Sequence, residues 1–526
     1  MILLEAHNLK HSVQDRLLLD IEQLQIHKNH RIGLVGRNGS GKTTLLQILA
    51  KKIASDEGTI TEHAQCELLP QLKRTDTTKS GGEITQEYIL QILLKDPALL
   101  LADEPTTNLD TEHVEWLEKK LRAWQGAFIL VSHDRAFLDT LCTDIWEIEE
   151  GKVTLYSGNY SAYASQKKAE NQQQQSEYEK YERKKKQLEA ALKAKEKKAD
   201  RATKKPANLS RSEASITGAK PYFAKKQKKL QKTAMAIETR LEKLEKVEKV
   251  KEQPPLKMNL PNAETFKNRV IIRVEESKAE IADRLLWRET SFNIRGGEKL
   301  AITGANGSGK TTLVKKIIAE EHGFKLSPSV KIGYFSQNLL IIDSEKTILE
   351  NVQESSKQNE TFIRTVLARM HFFREDVHKQ VSVLSGGERV KVALSKLFLS
   401  DINTLILDEP TNFLDLNALE ALESLLKEYE GSVIFVSHDR RFIEHVATRI
   451  LTIKDEEIEL FDGTYEAYKK AEDQAVEIDS EKDDLLILET KIAEVLGRLS
   501  IEPSAKLEEE FQELLKKKKA SLSLHE

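Results

Sequence analysis

Two eight-residue stretches, GRNGSGKT at Gly36–Thr43 and GANGSGKT at Gly304–Thr311, have the residue types and spacing of a phosphate loop, G-x-x-x-x-G-K-[ST]. Each follows an apolar strand-like run (RIGLVG, KLAITG) and opens a helical stretch, which is the context the motif requires. Small residues at Gly36, Gly39, Ser40 and Gly41, with Asn38, let backbone N–H groups close on phosphate oxygens, as do Gly304, Asn306, Gly307, Ser308 and Gly309. Lys42 and Lys310 would neutralise β/γ-phosphate charge, while Thr43 and Thr311, followed by Thr44 and Thr312, would offer a hydroxyl to Mg²⁺. Two further apolar runs, LLLADE and LILDE, end in carboxylates. Asp103 and Asp408 are the candidate metal holders, and Glu104 and Glu409 the candidate polarisers of an attacking water. His133 and His438 lie thirty residues beyond those aspartates, each in VSHD after a strand run, where an imidazole can sense a γ-phosphate. Gln71 and Gln337 follow strand-like runs and would reach the metal.

These residues are positioned by an internal repeat. Asp15–Thr44 aligns with Asp283–Thr312 at an offset of 268, whereas Ser80–Asp110 aligns with Ser385–Asp415 at an offset of 305. All of the length difference falls between the two landmarks: Gln71 to Ser80 is 9 residues and Gln337 to Ser385 is 48. The first copy therefore lacks most of a subdomain that the second keeps. Apolar runs alternate with helical stretches in both copies, the pattern of an α/β sheet whose strand C-termini hold ligand. The expected organisation is a first lobe over 1–164, a linker over 165–264, a second lobe over 265–472 and a C-terminal helical hairpin over 473–526.

The linker has almost no strand signal. Leu188 and Leu192 form one helical seam and Leu230, Ile237, Leu241 and Leu244 another, predicting two long antiparallel helices around a tip loop, ATKKPANLSRSEASITGAKPYF. Residues 171–250 carry 23 Lys/Arg against 11 Asp/Glu, a balance of +12 within a chain of net charge −4. A basic hairpin between acidic lobes points to a polyanionic partner. Arg211, Ser212, Lys220, Tyr222 and Phe223 are the candidate contacts at its tip. No stretch approaches ~18 uninterrupted apolar residues, so no bilayer span is expected. The N-terminus lacks the features of a signal peptide, and two cysteines, Cys66 and Cys142, suit a reducing cytoplasm.

Phosphate loop, glutamine, SGGE, DE and SHD, in this order and twice over, resemble the ATP-binding cassette (ABC) ATPases. The resemblance implies two tandem ABC-type α/β domains, with ATP and Mg²⁺ sandwiched between them and SGGE capping the ATP held by the opposite lobe. One composite site would join the Lys42 set to Ser385 and Gly387, and the other would join the Lys310 set to Ser80 and Gly82. The first signature, KSGGEIT, departs from the LSGGERV of the second, and neither HSVQDR nor AEIADR offers an aromatic where that family stacks adenine.

Two fused cassettes joined by a long basic linker, with a DEPTNFLD extension, resemble the ABC-F group of ribosome-associated ATPases. HSVQDRLLLDI, TKSGGE, LLLADEPTTNLD, RATKKPANLS, GAKPYFAKKQKKL and ARMHFFREDV are similar to its Vga-type antibiotic-resistance members. That resemblance implies a monomer with paired lobes that enters the E site of the 70S ribosome. Its linker would reach along 23S rRNA toward the peptidyl-transferase centre, displace P-site tRNA and dislodge lincosamides, streptogramin A or pleuromutilins. A housekeeping ABC-F translation factor and the ATPase subunit of a transporter are the alternative expectations.

Overall fold

The computed structural model describes the chain except residues 14–15, 71–80, 108, 204–218, 245–266, 282–283, 337–340, 413, 473, 475–490, 493–494, 497–510, 513 and 517–526. It divides into two compact units, one of Met1–Leu141, Trp146–Thr154 and Leu256–Glu526, the other of Cys142–Ile145 and Leu155–Pro255.

In the first copy of the repeat the elements run β1 (Ile2–Val13), β2 (Arg16–His27), β3 (Arg31–Gly36), α1 (Lys42–Leu49), β4 (Glu57–Glu62) and β5 (Cys66–Leu69). They continue with α2 (Gly81–Leu94), β6 (Leu99–Asp103), α3 (Thr111–Ala123), β7 (Ala127–Val131), α4 (Arg135–Leu141), β8 (Asp144–Glu149) and β9 (Lys152–Ser157). A six-stranded sheet has the order β5-β6-β7-β3-β8-β9, and β2-β1-β4 form a small sheet of their own. Neighbours β5, β6, β7 and β3 run parallel. Every residue of β6 (LLLAD) and β7 (AFILV) is buried, the continuous apolar run expected of a parallel strand covered on both faces. The strand order brings the C-terminal ends of β6, β7 and β3 side by side, which is where Asp103, His133 and the first phosphate loop lie. Burial beside acidic neighbours pushes the Cys66 thiol in β5 up to about 12, and Cys142 is buried, so both act as packing residues.

After the linker come β10 (Val270–Ile281), β11 (Arg284–Arg295), β12 (Lys299–Gly304), α7 (Lys310–Ala319), β13 (Phe324–Leu326) and β14 (Ile332–Phe335), which belong to the second copy. Then follow α8 (Ile348–Gln353), α9 (Glu360–Arg369), α10 (Gly386–Leu399), β15 (Thr404–Asp408) and α11 (Leu416–Glu428), with two 3₁₀ turns ahead of α10. β16 (Ser432–Val436), α12 (Arg440–Val446), β17 (Arg449–Lys454) and β18 (Glu457–Asp462) complete it. The sheet order β14-β15-β16-β12-β17-β18 repeats that of the first copy strand for strand.

The unequal spacing seen in the sequence is the pair α8 and α9. Ile348, Val352, Ile363, Val366 and Leu367 from these helices join Val390 and Leu394 of α10 in one core. Among the described residues the first copy has no such cover over α2, and Leu94 is 83% exposed where its counterpart Leu399 is 2% exposed.

In the other unit, α5 (Tyr160–Thr203) and α6 (Ala219–Glu242) pack against each other. At 1.5 Å per residue, 44 residues make α5 roughly 66 Å long. The base of α5 is pinned by a Tyr156–Tyr163 ring contact at 5.0 Å and by Tyr156 Oη donating to Glu170 Oε2 at 3.1 Å. Leu188, Leu192, Ile237, Leu241 and Leu244 are half-buried, as the seams predict. The tip differs from expectation in one respect. Helix α6 begins at Ala219, so Lys220, Tyr222 and Phe223 belong to its start and not to the connecting loop. Pro221 does not prevent this, because the N–H it lacks would have no partner in the first turn of a helix. Arg211, Ser212 and nearly all of the expected C-terminal hairpin lie outside the described residues.

Candidate ATP sites

Each phosphate loop is pre-shaped by its own lysine. Lys42 Nζ donates to Gly36 O at 2.8 Å and Arg37 O at 3.0 Å, and Lys310 Nζ donates to Gly304 O and Ala305 O, both at 2.8 Å. Burial lowers the pKa of both ammonium groups, against the carboxylates of Glu104 and Glu409 that favour their charge. Gly41 and Gly309 open α1 and α7 with φ of 99° and 103°. At Gly309 a Cβ would also meet Trp287 Cζ3 at 2.8 Å, so glycine is required twice over there. The hydroxyls of Ser40 and Ser308 are shielded inside the loops without a hydrogen-bond partner. An orphaned hydroxyl beside a helix N-terminus fits a phosphate oxygen.

The carboxylates meet the loops as the sequence suggests. Thr311 Oγ1 donates to Asp408 Oδ1 at 3.2 Å, and Thr43 donates to Asp103 in the same way. Burial raises the pKa of both aspartates. A hydroxyl and a carboxylate side by side are hard oxygen donors of the kind Mg²⁺ takes, with water and phosphate filling its other positions. Glu104 and Glu409 sit just past the strand ends with φ of 52° and 51°, and their N–H groups donate to Val131 O at 2.8 Å and Val436 O at 3.0 Å. This left-handed backbone turns each glutamate back over its site. His133 Nε2 lies 3.3 Å from Glu104 Oε1, and His438 Nε2 lies 3.4 Å from Glu409 Oε1. Burial pushes the Glu104 carboxyl up to about 8, and its Oε1 has no hydrogen bond, leaving a buried acceptor for a water proton.

Burial, with Lys42 and Lys310 nearby, depresses His133 to about 4 and His438 to about 3. Unfolded histidine titrates near 6.5, so the folded state binds fewer protons below that pH. The stability this contributes is complete above pH 6.5 and is lost as pH falls toward 4 and 3. Without nucleotide, the Tm of the parent should therefore fall more steeply below pH 6.5 than that of the His133→Gln, His438→Gln variant. Parallel Tm-versus-pH curves would exclude this role.

Ser385 caps α10 through a capping box, donating Oγ to Glu388 Oε2 at 2.7 Å while Glu388 N donates to Ser385 Oγ at 3.3 Å. Ser385 is exposed and Gly387 lies in the first turn, so the positive end of the helix is open to an anion. Gly82 lies in the first turn of α2, whereas Ser80, Gln71 and Gln337 lie outside the described residues.

Several residues at the sites were not anticipated from the sequence. Asp110 Oδ2 accepts from Asn306 N at 2.9 Å, and Asp415 Oδ2 accepts from Asn38 N at 3.2 Å, so each copy's aspartate reaches the other copy's phosphate loop. The signal was their equal spacing, seven residues beyond Asp103 and Asp408. Arg135 and Arg440, next after SHD, pair with Glu423 and Glu118 of the opposite copy. Tyr334 hydrogen-bonds to Asp408, and burial beside that carboxylate raises its hydroxyl to about 12. Tyr334 pairs in register with Ile406 as Leu68 does with Leu101, so the first site has no hydroxyl at this place.

Comparison with known proteins agrees with this geometry. A family model described as ABC transporter matches residues 19–76 and 287–412, and a second of the same description matches residues 146–258. The chain is 34% identical over 482 residues to the erythromycin resistance ATP-binding protein MsrA of Staphylococcus epidermidis, covering 85% of this chain and 96% of the relative. It is 32% identical over 554 residues to the ribosome protection protein VmlR of Bacillus subtilis, covering 97% of this chain and 96% of the relative. Among solved structures, an RNase-L Inhibitor shares the fold at a TM-score of 0.56 and 16% identity, covering 87% of this chain and 90% of that one. With two tandem cassettes built on duplicated phosphate loops, the protein is an ATP-binding ATPase, and it belongs to the ABC-F family.

Proposed function

We propose that this ATPase binds the ribosome when ATP closes its two copies together, and that it protects the ribosome against antibiotics. The observation that carries the reading is the similarity to VmlR over 97% of this chain, basic linker included. Cross-copy bonds from Asp110 and Asp415 support composite sites, one on Lys42, Thr43, Asp103, Glu104 and His133, the other on Lys310, Thr311, Asp408, Glu409 and His438. Thr43 with Asp103, and Thr311 with Asp408, would hold Mg²⁺, which would supply charge neutralisation at the phosphates. Gln71 and Gln337 complete that set. Lys42 and Lys310 hold γ-phosphate charge, and His133 and His438 donate to it as neutral imidazoles. Glu104 and Glu409 take the proton of the attacking water. Ser385 with Gly387, and Ser80 with Gly82, close the sites from the opposite copy.

The linker supplies the contact. Its +12 charge is steered to rRNA phosphate, and α5 alone is roughly 66 Å long at 1.5 Å per residue, long enough to extend from the E site toward the peptidyl-transferase centre. There Arg211, Ser212, Lys220, Tyr222 and Phe223 would lie against 23S rRNA, shift the P-site tRNA and dislodge lincosamides, streptogramin A or pleuromutilins. The protein works in the cytoplasm as a monomer, and among the described residues no helix is long and apolar enough to cross a membrane. A housekeeping translation role is the second reading. Such a factor would bind ribosomes equally and leave drug susceptibility unchanged.

Co-sedimentation of the Glu104→Gln, Glu409→Gln variant with 70S ribosomes tests the reading. Pelleting should require ATP, and expression of the parent should raise inhibitory drug concentrations in a sensitive host. A variant that stays in the supernatant with ATP removes the ribosome as target. Pelleting without any change in susceptibility favours the housekeeping role.

A further inference from the structure

The two aspartates that cross between the copies are held by different side chains. Lys391 Nζ lies 3.5 Å from Asp415 Oδ2, and both side chains are buried. Lys391 belongs to α10, six residues after Ser385, or about 9 Å along the helix. Asp110 instead pairs with His113, on the helix α3 that it caps. The exchange is reciprocal at the offset of 305: Gln86 stands in α2 where α10 has Lys391, and Ala418 stands in α11 where α3 has His113.

Asp415 is thus fastened to the helix that carries a signature, whereas the side chain that pairs with Asp110 comes from the helix it caps. Asp415 also accepts from Ala418 N at 2.9 Å and from Asn38 N at 3.2 Å, so one carboxylate joins α10, α11 and the first phosphate loop. His371 and Arg37 face the same cluster. Burial beside Lys391 holds His371 neutral, near 4, so His371 cannot replace the lysine as counter-charge at neutral pH. Gln86 is neutral as well, and a buried carboxylate left without its cation is held far less firmly.

We propose that Lys391 is a positioning residue that couples α10 to Asp415, so that the signature and the crossing aspartate grip nucleotide on the Lys42 loop as one unit. Among the described residues, the site on Lys310 has no such tie between its signature helix and Asp110. The two sites are therefore unequal in grip, with the tighter coupling at the Lys42 loop. This rests on the composite sites proposed above.

The test is equilibrium binding of the fluorescent analogue mant-ATP to the full chain with one loop disabled at a time. In Lys310→Ala protein, Lys391→Gln should weaken binding about ten-fold, and Lys391→Arg should restore it to within about two-fold. In Lys42→Ala protein, Lys391→Gln should change binding less than about two-fold, whereas Gln86→Lys should tighten it. Equal weakening in both proteins, no weakening in the first, or no restoration by arginine overturns the tie. If neither Lys42→Ala nor Lys310→Ala removes a binding site, the composite-site reading itself fails, and the tie with it.

Discussion

Exchange of both Glu104 and Glu409 for glutamine lowers steady-state ATP hydrolysis about a thousand-fold while leaving nucleotide affinity within about two-fold. Glutamine keeps the shape of the side chain and tolerates the backbone at φ 52° and 51°, so the phosphate loops and Asp103 and Asp408 stay where they are. What is lost is a buried carboxylate oxygen able to accept a proton. Burial holds Glu104 near 8, close to working pH, where a general base is most effective. Phosphate release and mant-ATP titration measured together would check this. Hydrolysis within about ten-fold of the parent would take proton abstraction away from these glutamates.

Glu423→Ala is expected to lower the unfolding free energy by about 3–5 kcal/mol, because it removes the carboxylate that pairs with the buried Arg135 guanidinium. The Arg135 and Glu423 side chains are 4% and 7% exposed, and His445 Nδ1 adds a contact to Glu423 at 2.9 Å. These partners outweigh burial and depress the Glu423 carboxyl below its usual range. The matching pair, Arg440 with Glu118, is 18% and 11% exposed, and there burial wins and raises the Glu118 carboxyl. Glu118→Ala should therefore lose less, about 1–2 kcal/mol. Replacing both members of the first pair by apolar groups, Arg135→Met with Glu423→Leu, should recover most of the loss, since neither charge is then left unpaired. Urea denaturation of the variants distinguishes these outcomes, and a double variant as unstable as Glu423→Ala would mean that the loss is one of packing. Because the two pairs join the copies around their crossing aspartates, loss of the first should also weaken ATP binding.

The unequal copies carry one consequence into solution behaviour. Without α8 and α9 over it, α2 leaves Leu94, Leu90 and Tyr88 in contact with solvent, where α10 has buried Leu399, Ser395 and Ala393. The first signature helix is thus supported by less packing than the second, in keeping with the absence of a lysine tie at Gln86.

Sequence alone determined the two phosphate loops, the duplication and the missing subdomain. Each of these rests on local spacing: Gly36–Thr43 and Gly304–Thr311 are contiguous, and the shift of offset from 268 to 305 is visible in a single alignment of the chain with itself. Strand ends carrying Asp103 and Asp408 were legible because parallel strands buried on both faces are uniformly apolar up to their last residue. Tertiary structure alone decided what crosses between the copies. Asp110 and Asp415 look in sequence like the helix N-caps that they also are, and nothing local says that a second carboxylate oxygen reaches Asn306 or Asn38, 196 and 377 residues away. The same holds for Arg135 with Glu423 and for Lys391 with Asp415, since a charge in a helix is usually solvated and only packing removes the water that would otherwise satisfy it.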